Sequence, residues 1–266
     1  MNKNRNNINN CLLEIAVDKK CDIIVLAEYN DDIKDLYSLL NNNSVEKYNI
    51  IPEMGGCERI KGLINIKYEV VNLYEHSRYK IVMIETYLNK LVLGMFHNVS
   101  KIHHLNEDQA YILKDFNDNL CKEENKYNTN NTLLIGDFNI NPFESSCISA
   151  DTLHAIPFIE EAKKFTRFVQ GKEFKMFYNP SWKLYGSRNI PYTTYYYNNS
   201  SILNYYWHIY DQIIIRPQLI NAFIDDSLTI IAETKQHKLM NKNIPDKNNY
   251  SDHLPLFCIL KESEIN

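Results

Sequence analysis

The sequence predicts a mixed α/β domain, and three observations predict it. Apolar runs of strand length recur, several of them ending in a polar, titratable residue. Between residues 48 and 97 the runs are short and closely spaced, as in antiparallel hairpins. Residues 8–17, 31–40 and 106–122 instead carry apolar side chains at helical spacing.

With 266 residues, 44% of them hydrophobic, the chain can bury a large core, so a single domain over 1–266, or at most two intimately packed ones, is expected. The net charge of −4 provides no global attraction for a polyanion, which a local patch or a bound cation would have to supply. Six cysteines (Cys11, Cys21, Cys57, Cys121, Cys147 and Cys258) form no CxxC pair and have no His partner at zinc spacing. That is the pattern of reduced thiols, and with no secretory signal in residues 1–10 it predicts a cytoplasmic protein. No apolar run approaches membrane-spanning length.

Taken in order, Ile8, Leu12, Ile15 and Ala16 mark the first helix, and Ile23-Ile24-Val25-Leu26-Ala27-Glu28 is a buried strand closed by a carboxylate. The 31–40 helix is capped by Asp31 or Asp32. Strands follow at 48–51, 62–68, 70–74, 79–87 and 91–97, with turns at Met54-Gly55-Gly56 and Leu88-Asn89-Lys90. The last of them ends in His97. After the 106–122 helix, residues 123–131 read as a polar linker.

Leu133-Leu134-Ile135-Gly136-Asp137-Phe138-Asn139 is then a buried strand in which Gly136 permits a close backbone turn, so that Asp137 and Asn139 emerge at its carboxyl end. Open α/β sheets keep their chemistry at that end. A short helix is predicted at 148–156, and 175–210 is the least regular part, with nine tyrosines, Trp182 and Trp207. Residues 207–215 resume as a strand containing Asp211, and Tyr250-Ser251-Asp252-His253 leads into the final apolar run, 256–260.

The strand tips thus offer Glu28, His97, Asp137 with Asn139, Asp211, and Asp252 with His253. Each has a plain alternative: a buried histidine is more often packed than reactive, and Asp and Asn are ordinary turn residues. A carboxylate closing an apolar strand, as Glu28 does, is costly unless paired or bound to metal. The set is rich in oxygen donors, which suits Mg²⁺, with Mn²⁺ as a second choice, where zinc would want more His or Cys.

Gly136-Asp137-Phe138-Asn139 and Ser251-Asp252-His253, with the strand ending in Glu28, Phe96-His97 and Tyr210-Asp211-Gln212 in order, resemble the endonuclease/exonuclease/phosphatase superfamily. The resemblance spans residues 23–260. It implies a four-layer α/β/β/α sandwich of two mainly antiparallel sheets, a divalent metal, and phosphoester hydrolysis by direct attack of water. Carried over, Glu28 and Asp252 are the metal ligands, and Asp137 and Asn139 position the water. Asp211 orients His253, and His253 and His97 act on the phosphate. Asp137 and His253 both remain candidates for the group that takes the water's proton.

The chemistry agrees with these roles. A phosphodiester repels hydroxide, so hydrolysis needs positive charge on the phosphoryl oxygens, an aligned water and a proton source for the leaving group. In one respect the chain departs from the family pattern. Members begin with a central strand ending in a metal-binding Asn, whereas Met1-Asn2-Lys3-Asn4 leads directly into helix, so that strand is expected to be missing and to leave an open sheet edge.

Substrate contacts are expected from Arg59, beside Gly62, and from the aromatic segment, where Tyr196 and Trp207 offer faces for stacking unless they merely pack a sheet. Residues 161–216 carry a net charge of +5, the kind of patch a polyanion needs. These readings converge on a Mg²⁺-dependent phosphodiesterase, a nuclease acting on nucleic acid. The alternatives are a phosphatase or phosphodiesterase for a small or lipid-linked phosphoester, and an inactive binding module. No protein partner is inferable from the sequence.

Overall fold

A computed structural model describes residues 3–86 and 89–265. The first half runs α1 (Lys3–Lys19), β1 (Ile23–Ala27), α2 (Ile33–Asn43), β2 (Tyr48–Ile50), β3 (Ile60–Asn65), β4 (Glu69–His76), β5 (Tyr79–Glu85), β6 (Lys90–His97), α3 (Asn106–Lys126) and β7 (Thr132–Asp137). The second half runs α4 (Ser145–Ile148), β8 (Ala155–Ile156), α5 (Ile159–Ala162), β9 (Thr166–Val169), β10 (Lys172–Lys175), β11 (Phe177–Tyr178), β12 (Tyr195–Tyr196), β13 (Trp207–His208), β14 (Asp211–Ile215), β15 (Thr229–Ile230), β16 (Met240–Asn241), β17 (Ile244–Pro245) and β18 (Leu256–Phe257). Among the described residues no helix is long and apolar enough to cross a membrane.

One sheet has seven strands in the order β4-β5-β6-β7-β14-β11-β8, antiparallel except at β6–β7 and β11–β8. Its outer face is covered by α3, whose Leu113, Phe116 and Leu120 pack on Tyr79, Phe96, Leu134 and Phe138. The inner face meets the second layer through Val82, Leu93, Met95, Ile213 and Ile215 against Ile60 and Ile64 of β3. On the far side of that layer, Leu36 and Leu40 of α2 and Ala16 of α1 pack on Ile24, Leu26 and Leu63. The order of layers is α/β/β/α, as the resemblance implies.

The second layer comes in two pieces, β1-β3-β2 and β15-β18. Among the described residues no strand joins β1 to β18. Accordingly β1, apolar throughout, is only half-buried rather than enclosed on both faces.

Four local expectations need correction. Residues 123–126 are not linker but the last turn of α3, because buried Glu124 binds Arg216 (Nε to Oε1, 2.8 Å) and Lys175 (Nζ to Oε2, 3.0 Å). The predicted 148–156 helix is instead the four-residue α4 followed by turns, since Ala155 and Ile156 pair in parallel with β11. The predicted 207–215 strand breaks at Ile209 and Tyr210, where the chain exchanges β12 as partner for β7. The last apolar run keeps only two residues in strand form, paired on one side with β15. Tyr87 and Leu88, from the expected strand and turn there, lie outside the described residues.

The +5 stretch is not a free basic face. Arg216 and Lys175 neutralise Glu124, Lys163 pairs with Glu160, Lys164 with Glu161, and Lys183 with Asp225 and Asp226. These partners lie mostly outside the 161–216 window in which the charge was summed.

Candidate active site

Gly136 sets the geometry of the site. Its φ is +150°, and a Cβ there would stand 1.9 Å from the carbonyl oxygen of Phe96, so only glycine lets β7 lie this close to β6. The resulting register makes both His97 and Asp211 the cross-strand partners of Asp137. Three titratable side chains from β6, β7 and β14 therefore stand in one row across the sheet.

Asp137, 7% exposed, accepts hydrogen bonds from the Asn139 backbone N–H (2.8 Å) and from Asn139 Nδ2 (2.9 Å). Asn139 holds a left-handed φ of +51°, and its Nδ2 also donates to the Asn98 carbonyl at 3.2 Å. Gln109 of α3 donates to the carbonyls of Val99 (2.8 Å) and Asn139 (3.0 Å), which fastens the helix to this tip. Asn98 and Gln109 escape sequence reading because their task is to hold backbone.

His253 reaches the row from the other layer. Its backbone bridges Tyr195, its Nδ1 lies 2.7 Å from Asp211 Oδ2, and its ring lies 4.5 Å from the Tyr195 ring. At the other end of the row, His97 Nε2 is 3.6 Å from Glu28 Oε1 and 3.8 Å from Asp137 Oδ2. His97 Nδ1 is buried and has no hydrogen-bond partner among the described residues. Glu28 sits just past β1 at φ +52°, and its Oε1 is also 3.3 Å from Arg59 Nη1.

These surroundings push the titratable groups apart. Burial holds the Asp137 carboxyl up at about 7; Asp211 and Glu28 act in the same direction, whereas His253 and the Asn139 N–H oppose them. Burial disfavours the His253 imidazolium, but Asp211, Asp137 and the hydrogen bond to Asp211 outweigh it and raise this group to about 10. Burial, assisted by Arg78 and Arg59, lowers His97 to about 4 despite Glu28. Near neutrality the row thus combines a charged imidazole, a neutral one and a carboxyl close to its midpoint.

Ligand atoms of Asp137, Asp211 and His253 all lie within 4.8 Å of one another. Glu28 and Asp252 line the same cavity, of about 1660 Å³. Carboxylates dominate this donor set, and burial raises the Asp137 carboxyl despite the nearby His253 imidazolium, a cost that a bound cation would relieve. Such a set fits a hard divalent cation and fits zinc poorly.

The cavity wall is aromatic, with Phe143, Tyr195, Tyr197, Tyr205, His208 and Tyr210 lining it. Tyr196 and Trp207 are not brought to the cavity: they pair across the β12–β13 ribbon and pack edge-to-face at 5.3 Å. Arg59 stands at the rim beside Glu28. His208, which nothing in its local sequence singles out, borders the cavity, with its Nδ1 3.1 Å from Asn141 Nδ2. The alternation of Tyr195-Tyr196-Tyr197 along an extended ribbon was the available signal for which tyrosines face the site.

No known protein family and no curated protein matches the sequence. Solved structures do resemble the fold. Danio rerio TDP2, complexed with single-strand DNA product, superposes with a TM-score of 0.56 at 14% identity over 97% of this chain and 92% of that one. An endonuclease/exonuclease/phosphatase family protein from Leptotrichia buccalis reaches 0.53 at 12% identity, over 98% and 94% of the two chains. ANGEL2, a 2',3'-cyclic phosphatase, reaches 0.55 at 13% identity, over 94% and 84%. The chain therefore has the endonuclease/exonuclease/phosphatase fold over nearly its whole length.

Proposed function

We propose that this protein hydrolyses phosphodiester bonds with the help of Mg²⁺, by in-line attack of water, and that it is a nuclease. The observation that carries the reading is the Asp211–His253 pair at 2.7 Å beside buried Asp137, in a row that ends with His97 next to Glu28. The fold supports it, and so does the range of phosphoester chemistry named for proteins that share that fold.

Glu28 and Asp252 would hold the cation, which when bound places positive charge on the phosphoryl oxygens. Asp137, its carboxylate fixed by two hydrogen bonds from Asn139, orients the attacking water and takes its proton. A group raised to about 7 suits a base working near neutrality, whereas His253, raised to about 10, is already charged. His253 therefore serves as a hydrogen-bond donor to the phosphate, and Asp211 holds its charge and fixes the orientation of its ring by accepting from Nδ1. Neutral His97 points Nε2 toward the same space and donates or accepts without repelling the cation.

The aromatic wall favours single-stranded nucleic acid, whose bases stack on tyrosine faces. All six cysteines are free thiols, which supports a reducing, cytoplasmic setting. The second reading, a small phosphoester substrate, is favoured by the absence of a free basic stripe in 161–216. Purified protein with Mg²⁺ should be tested on single-stranded DNA, RNA, plasmid and a 2',3'-cyclic nucleotide, with a chelator control. Chelator-sensitive cleavage of a polynucleotide supports the nuclease, turnover of the cyclic nucleotide alone supports the second reading, and no turnover of any of them defeats both.

A further inference from the structure

One buried amide fixes the polarity of the cavity wall beyond the row. Asn141 follows the Asp137 tip and is fully buried, so its side chain has to find its partners within the protein. Its Oδ1 accepts from the Ile209 N–H at 3.0 Å and from the Tyr185 hydroxyl at 2.6 Å. A backbone N–H can only donate, so the amide oxygen is fixed on that side and Nδ2 on the other. There Nδ2 lies 3.1 Å from Glu144 Oε1 and 3.1 Å from His208 Nδ1. Glu144 Oε1 also takes the Asn141 backbone N–H at 2.8 Å, which marks it as an acceptor. Both contacts of Nδ2 are therefore donations, and His208 Nδ1 has to accept.

A neutral imidazole that accepts at Nδ1 carries its hydrogen on Nε2. His208 is neutral at pH 7, because burial pushes it down to about 4; Lys101 adds to this and Glu144 opposes it. Its Nε2 finds no partner among the described residues, so Nε2–H is the polar group that the ring can offer to the cavity it lines. Around it the wall is aromatic. The His208 ring lies 4.8 Å from that of Tyr210 and meets Tyr205 edge-to-face at 6.1 Å, and exposed Tyr197 and Tyr205 line the same cavity. Tyr195 joins this wall to the row, since its ring stacks on Tyr210 at 5.2 Å and lies 4.5 Å from His253. Lys101 is paired with Glu144, so neither charge is free to hold an ion here.

Resting on the nuclease reading of the row, we propose that His208 and Asn141 form a nucleobase subsite, in which the fixed Nε2–H donates to a carbonyl oxygen or ring nitrogen of the base next to the phosphate at the row. A nucleobase meets each condition of this wall: it is flat, it is uncharged, and its edge carries acceptors. Its faces stack on tyrosine while the edge meets one donor. A second phosphate, by contrast, finds no free positive charge there. Asn141 acts through His208 as a positioning residue. With the hydrogen on Nδ1 instead, the ring would turn a lone pair toward the acceptor of the base, so the direction of the Asn141 amide decides between attraction and repulsion.

Binding is measured in chelator, where the metal-dependent cut is blocked, with a fluorescent thymidine hexanucleotide and its fully abasic counterpart. The Nε2–H resonance of His208 is followed in parallel on protein with isotopically labelled histidines. His208→Phe keeps a ring and removes the donor, so the ratio of base-bearing to abasic affinity should fall about tenfold. His208→Gln, whose amide N–H reaches nearly the same place, should restore part of that ratio. In the unaltered protein the thymidine strand should shift the Nε2–H resonance and the abasic strand should leave it in place, a readout that needs no variant. An unchanged ratio in folded His208→Phe overturns the inference, as does a His208 hydrogen found on Nδ1. Tight binding of the thymidine strand with no change at Nε2 overturns it while leaving the nuclease reading intact. Binding of neither strand overturns it as well, and absence of polynucleotide cleavage with Mg²⁺ then removes the nuclease reading too.

Discussion

His253 Nδ1 and Asp211 Oδ2 lie 2.7 Å apart, joining the two sheet layers through one hydrogen bond at the edge of the cavity. Asp211 opens β14, and His253 precedes β18 in the other layer, so this contact ties the two layers together at the cavity. Its strength follows from shared charge, because the imidazole is raised to about 10 mainly by Asp211 against the cost of burial.

Asp211→Asn should therefore lower the pH at which His253 loses its charge. In the unaltered protein its ring signals stay those of the charged form through pH 8, and in the variant the change to the neutral form should move to lower pH, as followed by NMR. Turnover should fall by about 10²–10⁴ while the fold persists. A variant ring that stays charged would show that Asp211 is not the cause.

The same pair governs stability at high pH. His253 has its folded value raised from 6.5 to about 10, so its contribution is fully present below pH 6.5 and is lost as pH rises through 10. The Tm of the metal-free protein should decline over that window, and the decline should be shallower in Asp211→Asn. Parallel curves for the two proteins would contradict the assignment.

Asp137 works in the same sense, over a lower pH window. Its folded value is raised from 3.8 to about 7, so the folded form binds the proton more tightly, and stability from this group is lost between pH 4 and pH 7. Asp137→Asn removes a buried carboxylate and should raise the Tm of metal-free protein at pH 8 by about 5 °C while abolishing turnover. Calorimetry and a phosphodiester assay on one preparation check both halves.

Two positions should matter for folding. Gly136→Ala sets a Cβ against the Phe96 carbonyl and should cost about 3 kcal/mol, read from urea denaturation. Glu124→Ala strands buried Arg216 and should cost about 3–5 kcal/mol, whereas the apolar pair Glu124→Leu with Arg216→Met should recover most of it. An equal loss in the double variant would mean that the ion pair itself, rather than an unpaired charge, is what the core requires.

The strand tips were legible because each required only local pattern: an apolar run, then a polar residue where the run meets solvent. Glu28, His97 and Asp137 could be read that way, and Asp211 as the residue that opens an apolar run; the structure brings them together, and the Asp211–His253 contact was implied by the family resemblance. Features set by distant partners were not legible. The last turn of α3 depends on Lys175 and Arg216, far along the chain, and the +5 stretch disappears once its ion pairs form. The cavity-facing tyrosines depend on ribbon pairing, which turns Tyr195 and Tyr197 inward and leaves Tyr196 against Trp207. Gln109, which donates to two backbone carbonyls at the site, and Asn98, whose Oδ1 accepts from the Val99 N–H, carry no motif of their own.

Hydrolysis of phosphodiesters by the row from Glu28 to His253 can be tested in a single assay. Cleavage of labelled single-stranded DNA and RNA should be followed with Mg²⁺ for the unaltered protein and for His253→Ala, with circular dichroism confirming that both are folded. Chelator-sensitive cleavage is expected, and His253→Ala should lower it by several orders of magnitude. Cleavage of equal rate in the two folded proteins would contradict it.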